Sequence, residues 1–241
     1  LKYENLISKA IPYAGPSLGF GEDILVILFT SGTTGNPKGA KISHRAFIAR
    51  AMYWAYEYKV NEEDTFPAWA PMFHMASTDL AIGSLIIGAS VAFVDGFEPK
   101  ILKRLIQKYK LSWLVLMPGM LEGFIKFLKG KNIKTKGIKA MGAMADLISK
   151  KQIIEITTLL NTPYLNSFGS TETGMPPASG GVISKKSKNF SLSKIQSSFC
   201  EVILVNDNKV AELEAPGECA VRGPTLFSGY WKAEETNLKD F

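Results

Sequence analysis

Ile24-Leu25-Val26-Ile27-Leu28-Phe29 runs directly into Thr30-Ser31-Gly32-Thr33-Thr34-Gly35-Asn36-Pro37-Lys38-Gly39. An apolar run that ends abruptly in hydroxyls, glycines and a lysine reads as a buried strand opening into a loop built to hold phosphate. Glycine lets backbone N–H groups approach an anion closely. Ser31, Thr33 and Thr34 add hydroxyl donors, and Lys38 adds a mobile point charge. A polar surface turn between a strand and a helix would draw on some of the same residues. A donor-rich stretch without one acidic side chain favours phosphate over that plain turn. The Walker pattern G-x-x-x-x-G-K-[ST] is excluded, because the glycine it requires after Gly32 is replaced by Pro37.

The rest of the composition is permissive. With 241 residues, 46% hydrophobic and 21% charged, the chain can bury a sizeable core. A net charge of +6 spread over scattered lysines indicates a solvated surface and some attraction for polyphosphate, with nothing that calls for nucleic acid. The two cysteines, Cys200 and Cys219, have no CxxC spacing and no neighbouring histidine, so neither a disulfide framework nor a zinc site is expected. A cytoplasmic location fits that usage. No apolar run is long enough for a transmembrane helix. Leu1-Lys2-Tyr3-Glu4 is neither an initiator methionine nor a signal peptide, and the chain reads as beginning in mid-protein.

Residues 1–23 form an irregular, Gly- and Pro-rich lead-in. From 24 to 183 apolar strands alternate with helices. Ser43 caps a helix over 44–58, placing the phosphate loop between a strand and a helix. Further helices are expected over 78–87, 100–109 and 120–128 and from Ser149, where Ser149 and Gln152 make a capping box. Strands are expected at 90–94, 113–117, 138–141 and 164–167. This alternation predicts an α/β fold with a mostly parallel sheet flanked by helices, and ligands outside the carboxyl ends of its strands. Residues 184–241, with short strands at 200–205 and 218–222 around an Asn206-Asp207-Asn208 turn, read as the start of an antiparallel β subdomain.

Three further stretches carry possible chemistry. In Asn166-Ser167-Phe168-Gly169-Ser170-Thr171-Glu172-Thr173-Gly174 an aromatic, a glycine, hydroxyls and an acid sit at the mouth of a strand. They could stack a base, donate to a phosphate and hold a divalent cation, although a solvated turn would use the same residues. Met141-Gly142-Ala143-Met144 ends a strand, where Met144 is expected in the core. In Pro71-Met72-Phe73-His74-Met75, His74 would by default be a core histidine bonded to a carbonyl.

Taken together, these stretches resemble the adenylate-forming enzymes: acyl- and aryl-CoA synthetases, peptide-synthetase adenylation domains and beetle luciferases. Phe29–Gly39 is similar to their phosphate loop. The 168–172 stretch is similar to their aromatic-Gly-x-Thr-Glu motif, with Phe168 where Tyr is usual. Gly217 to Trp231 is similar to the stretch leading toward their ribose-binding aspartate, and no catalytic part is assigned to Arg222 or Tyr230. The resemblance implies that Thr30, Ser31, Gly32, Thr33, Thr34, Gly35 and Lys38 hold the phosphates of ATP. Gly142, Ala143, Phe168 and Gly169 would hold adenine. Thr171 would bond the α-phosphate and Glu172 would bind Mg²⁺. Lys38, Thr171 and Glu172 would be catalytic, and His74 and Met141 would line the acid pocket. The implied reaction converts a fatty or aryl carboxylic acid to acyl-AMP and then, with coenzyme A, to a thioester. The chain would be the central part of such a protein, missing most of the N-terminal subdomain and the C-terminal lysine-bearing domain, and inactive alone. An amino-acid adenylation domain and a non-catalytic nucleotide-binding module are the alternative readings.

Overall fold

The computed structural model describes residues 3–30, 37–185, 187–207, 209–212 and 214–240. A short helix, α1 (Tyr3–Ile7), precedes an irregular stretch and then β1 (Ile24–Phe29) and β2 (Gly39–Ser43). These two pair antiparallel, with Phe29 opposite Gly39 and Leu28 opposite Ala40. The phosphate-loop stretch therefore joins two strands of a hairpin and does not open directly into a helix. The strand overlooked in the sequence is only five residues long; it buries Ala40 and Ile42 and leaves the intervening Lys41 partly exposed. That is period-2 patterning too brief to read beside a helix start. Ser43 ends β2 and also caps α2 (His44–Glu57), its hydroxyl accepting the Ala46 N–H.

Beyond the hairpin the chain alternates: β3 (Asp64–Ala68), α3 (Met75–Ile87), β4 (Ser90–Phe93), α4 (Pro99–Lys108), β5 (Lys110–Leu114), α5 (Pro118–Leu128), β6 (Ile138–Met141), α6 (Lys150–Leu160), β7 (Tyr164–Leu165) and β8 (Val182–Ile183). Among the described residues these strands make a six-stranded sheet ordered β4-β3-β5-β6-β7-β8, parallel except for β8. The α/β expectation holds, with helices flanking the sheet. Its aromatic centre is Trp113, whose ring lies 5.2 Å from that of Trp54 on α2 and 6.4 Å from that of Phe66 on β3. Pro118 opens α5 at its first turn, where its missing N–H costs no helical bond. Ser149 caps α6 through the Gln152 N–H, as the capping box requires.

The tail forms an antiparallel sheet of β10 (Lys209–Val210), β9 (Glu201–Asn206) and β11 (Glu218–Arg222). It ends in α7 (Glu234–Asp240). Between β11 and α7 the chain returns to the phosphate-loop hairpin. Lys41 N–H donates to the Gly229 carbonyl (2.9 Å), Ser228 N–H to Lys41 (2.8 Å) and Trp231 N–H to Gly39 (2.7 Å). Ala40 and Tyr230 form the bridge pair between them.

Candidate active site

A cleft of about 660 Å³ opens beyond the carboxyl ends of β5, β6 and β7. Each strand delivers its own loop. Trp113 and Met117 come from β5, Ala143, Met144, Asp146 and Leu147 from β6, and Ser167 to Glu172 from β7. The hairpin adds Thr30 and Lys38, the start of α3 adds His74, and the tail adds Tyr230.

The hairpin stem is closed on both sides of its loop. Thr30 N–H donates to the Lys38 carbonyl (2.9 Å), and Lys38 N–H donates to Thr30 Oγ1 (3.3 Å). Ser31, Gly32, Thr33, Thr34 and Gly35 lie outside the described residues.

The loops after β6 and β7 interlock. Tyr164 Oη donates to the Ala143 carbonyl (3.0 Å), and Met144 N–H donates to Ser167 Oγ (3.2 Å). Burial pushes the Tyr164 phenol well above its ordinary range. Gly142 is required here: its φ is +77°, and a Cβ would stand 2.1 Å from the Tyr164 ring.

Arg50, buried on α2, braces the motif that contains Thr171 and Glu172. Its Nη2 donates to the carbonyls of both residues (3.2 Å each), and its Nε donates to the Thr225 carbonyl (3.0 Å). Nη1 meets both carboxylate oxygens of buried Asp79 on α3, at 3.1 and 3.0 Å. Burial pushes the Asp79 carboxyl upward against the pull of this guanidinium. Phe227 N–H adds a second bond to the Glu172 carbonyl (2.8 Å). Phe168 is held by its own N–H, which donates to Ser179 Oγ (2.9 Å), and its side chain stays 47% exposed at the cleft. The Ser179 carbonyl in turn accepts from Tyr53 Oη (3.0 Å) and from Tyr58 Oη.

His74 is exposed, contrary to the core reading. Its Nδ1 accepts the Ala76 N–H (3.1 Å) as the cap of α3, which leaves the proton of a neutral imidazole on Nε2.

Of the residues singled out in the sequence, Thr30, Lys38, His74, Ala143, Phe168, Gly169, Thr171 and Glu172 meet in this one cleft. Met141 does not: β6 lies inside the sheet, and Met141 is 0% exposed and packed in the core. Gly142 shapes the loop without lining the cleft. Met144 reverses its expected burial. Its positive φ of 47° turns it out to the cleft wall, 38% exposed.

Sequence reading missed Tyr230, whose hydroxyl donates to Glu172 Oε1 (2.8 Å) and whose ring centroid lies 5.0 Å from Lys38 Nζ. It also missed Arg50 as a brace. Tyr230 had only the neighbouring Gly229 as a turn signal, and Arg50 looked like one more position on a packing face.

A family model described as AMP-binding enzyme matches residues 12–231. A 2-succinylbenzoate–CoA ligase of Bacillus cytotoxicus is 25% identical over 218 residues, covering 88% of this chain and 44% of that protein. A plipastatin synthase of Bacillus subtilis is 28% identical over 227 residues, covering 91% of this chain and 9% of the synthase. Among solved structures, the o-succinylbenzoate coenzyme A synthetase of Bacillus subtilis in complex with ATP and magnesium ion matches with a TM-score of 0.79. Its identity is 22%, over 99% of this chain and 49% of that one. The chain thus spans less than half the length of these relatives, and the likeness in architecture is that of the adenylate-forming fold. By the match across residues 12–231, the chain belongs to the AMP-binding enzyme family.

Proposed function

We propose that the protein carrying this chain activates a carboxylic acid with ATP, forming an acyl-adenylate, and passes the acyl group to coenzyme A. The observation that carries this reading is the convergence of Lys38, Thr171, Glu172 and Phe168, from separate stretches of sequence, on one cleft. In the first step a carboxylate oxygen attacks the α-phosphorus and pyrophosphate leaves. In the second the coenzyme A thiol attacks the acyl carbonyl, its proton is lost and AMP departs. Both steps need charge neutralised on phosphoryl oxygens more than they need a nucleophilic side chain. Lys38 supplies a cation, Thr171 a hydroxyl donor and Phe168 an aromatic face for adenine.

The donor set suits Mg²⁺. Glu172 offers a hard carboxylate oxygen, and the described residues hold no cluster of three or more His, Cys, Asp or Glu side chains. A magnesium ion commonly takes one or two carboxylates and completes its shell with phosphate oxygens and water. When bound it would neutralise charge on the phosphates of ATP.

The acid end is lined by Trp113, Met117, Met144 and Leu147, which suits an apolar or aryl body, with His74 Nε2–H at hand for the carboxylate. The 2-succinylbenzoate–CoA ligase relative supports an aryl acid. An amino-acid adenylation domain is the second reading, favoured by the plipastatin synthase relative. Against it, the Asp146 carboxylate at the cleft is taken by Lys194 at 2.6 Å and is not free to meet a substrate ammonium. The free thiols Cys200 and Cys219 suit a reducing compartment such as the cytoplasm.

ATP–pyrophosphate exchange over a panel of aryl, fatty and amino acids, in the whole protein, tests the proposal. Exchange should appear with an aryl or fatty acid and fall about 10²- to 10³-fold in Lys38→Ala and Glu172→Gln. Exchange with amino acids alone, or full activity in both variants, would refute it.

A further inference from the structure

Lys38 and Glu172 line one cleft and carry opposite charges, yet they are not paired with each other among the described residues. What stands between them is Tyr230. Its hydroxyl donates to Glu172 Oε1 at 2.8 Å, and its ring centroid lies 5.0 Å from Lys38 Nζ. One side chain thus satisfies the carboxylate by hydrogen bonding and the ammonium by its π face.

The backbone that carries the ring is held from two sides. Tyr230 N–H donates to Asn237 Oδ1 (2.8 Å), and Asn237 Nδ2 donates back to the Tyr230 carbonyl (3.0 Å). Tyr230 also bridges Ala40, directly beyond the phosphate-loop stem. At the other end, the Glu172 carbonyl is pinned by Arg50 and by Phe227.

Resting on the nucleotide-site reading above, we propose that Tyr230 is a positioning residue that insulates Lys38 from Glu172. A lysine and a glutamate in one partly desolvated cleft attract each other strongly. If they paired, the ammonium would be withheld from phosphate and the carboxylate from a divalent cation, and each ligand would have to break that pair first. Tyr230 keeps both charges singly available. With Oε1 engaged by the phenol, Oε2 is left as the open oxygen.

A double-mutant cycle on the whole protein tests this. Calorimetry reads the affinity for α,β-methylene-ATP without metal in wild type, Tyr230→Leu, Glu172→Gln and the double variant. Tyr230→Leu should weaken nucleotide binding about tenfold, the scale seen when a partner that orients a binding group is lost. On the Glu172→Gln background, where no carboxylate can capture Lys38, the same change should cost little. Equal losses on both backgrounds would mean ordinary structural damage and overturn the proposal.

Tyr230→Phe keeps the ring, so it should bind the nucleotide normally while Mn²⁺, added as a probe with the analogue, binds more weakly. Unchanged Mn²⁺ affinity would likewise count against the role. Lys38→Ala separates the two levels. If it leaves analogue binding intact, the site reading itself fails; if it weakens binding while the cycle shows no coupling, only the insulating role of Tyr230 fails.

Discussion

Arg50 Nη1 lies 3.0 Å from Asp79 Oδ2, with both side chains almost wholly removed from solvent. Removing the guanidinium strands a carboxylate in the interior. Arg50→Ala should therefore cost about 3–5 kcal/mol of stability, read by urea unfolding. Replacing the pair together, as Arg50→Met with Asp79→Leu, should recover most of that loss, because apolar groups of similar volume need no partner. The recovered variant should still bind nucleotide poorly, because the Thr171 and Glu172 carbonyls have lost their donor.

Gly142→Ala combines a left-handed backbone with a collision against the Tyr164 ring. The backbone term alone is about 1–3 kcal/mol. A larger loss of stability is expected, with a lowered thermal midpoint. Tyr164→Phe is milder: it removes the bond to the Ala143 carbonyl and should cost about 1 kcal/mol.

The phenols of Tyr53, Tyr58 and Tyr164 are all pushed upward, chiefly by burial. In the unfolded chain they ionise near pH 10. Folded-state values above that mean their contribution to stability is intact below about pH 10 and is lost as pH rises beyond it, by up to about 1.4 kcal/mol per pH unit for each phenol. Denaturant titrations between pH 9 and about 12 should show this fall. Tyr58→Phe should make its slope shallower.

Residues 1–241 expressed alone should bind ATP or AMP weakly and form no thioester. Calorimetry and a coenzyme A consumption assay would measure the two. Robust ligation by this segment would show that it holds a complete active site.

Much of this architecture was legible because α/β chains announce themselves. Apolar runs such as 138–141 and caps such as Ser149 depend on local chemistry, and both appear where expected. The nucleotide side of the cleft was legible for a related reason, since hydroxyls, glycine and acid were crowded into short stretches. What escaped was set by partners remote in sequence. Strand β2 is too short to show its period, and it is stabilised by β1 on one side and by residues 228–231 on the other. Met141 and Met144 could not be sorted because a single positive φ at Met144 decides which of them faces the cleft. Tyr230 and Arg50 gain their roles only through contacts that no local pattern encodes.

The return of the chain at Gly229–Trp231 to strand β2 also orders events during synthesis. The phosphate-loop hairpin emerges early, but its second flank cannot form until Trp231 has been made. Loop closure over so long a separation is slow compared with local pairing. A nascent chain can therefore build β3 to β7 and their helices before the stem that carries Lys38 is locked beside Glu172. The nucleotide end of the cleft is thus among the last parts of this segment to mature.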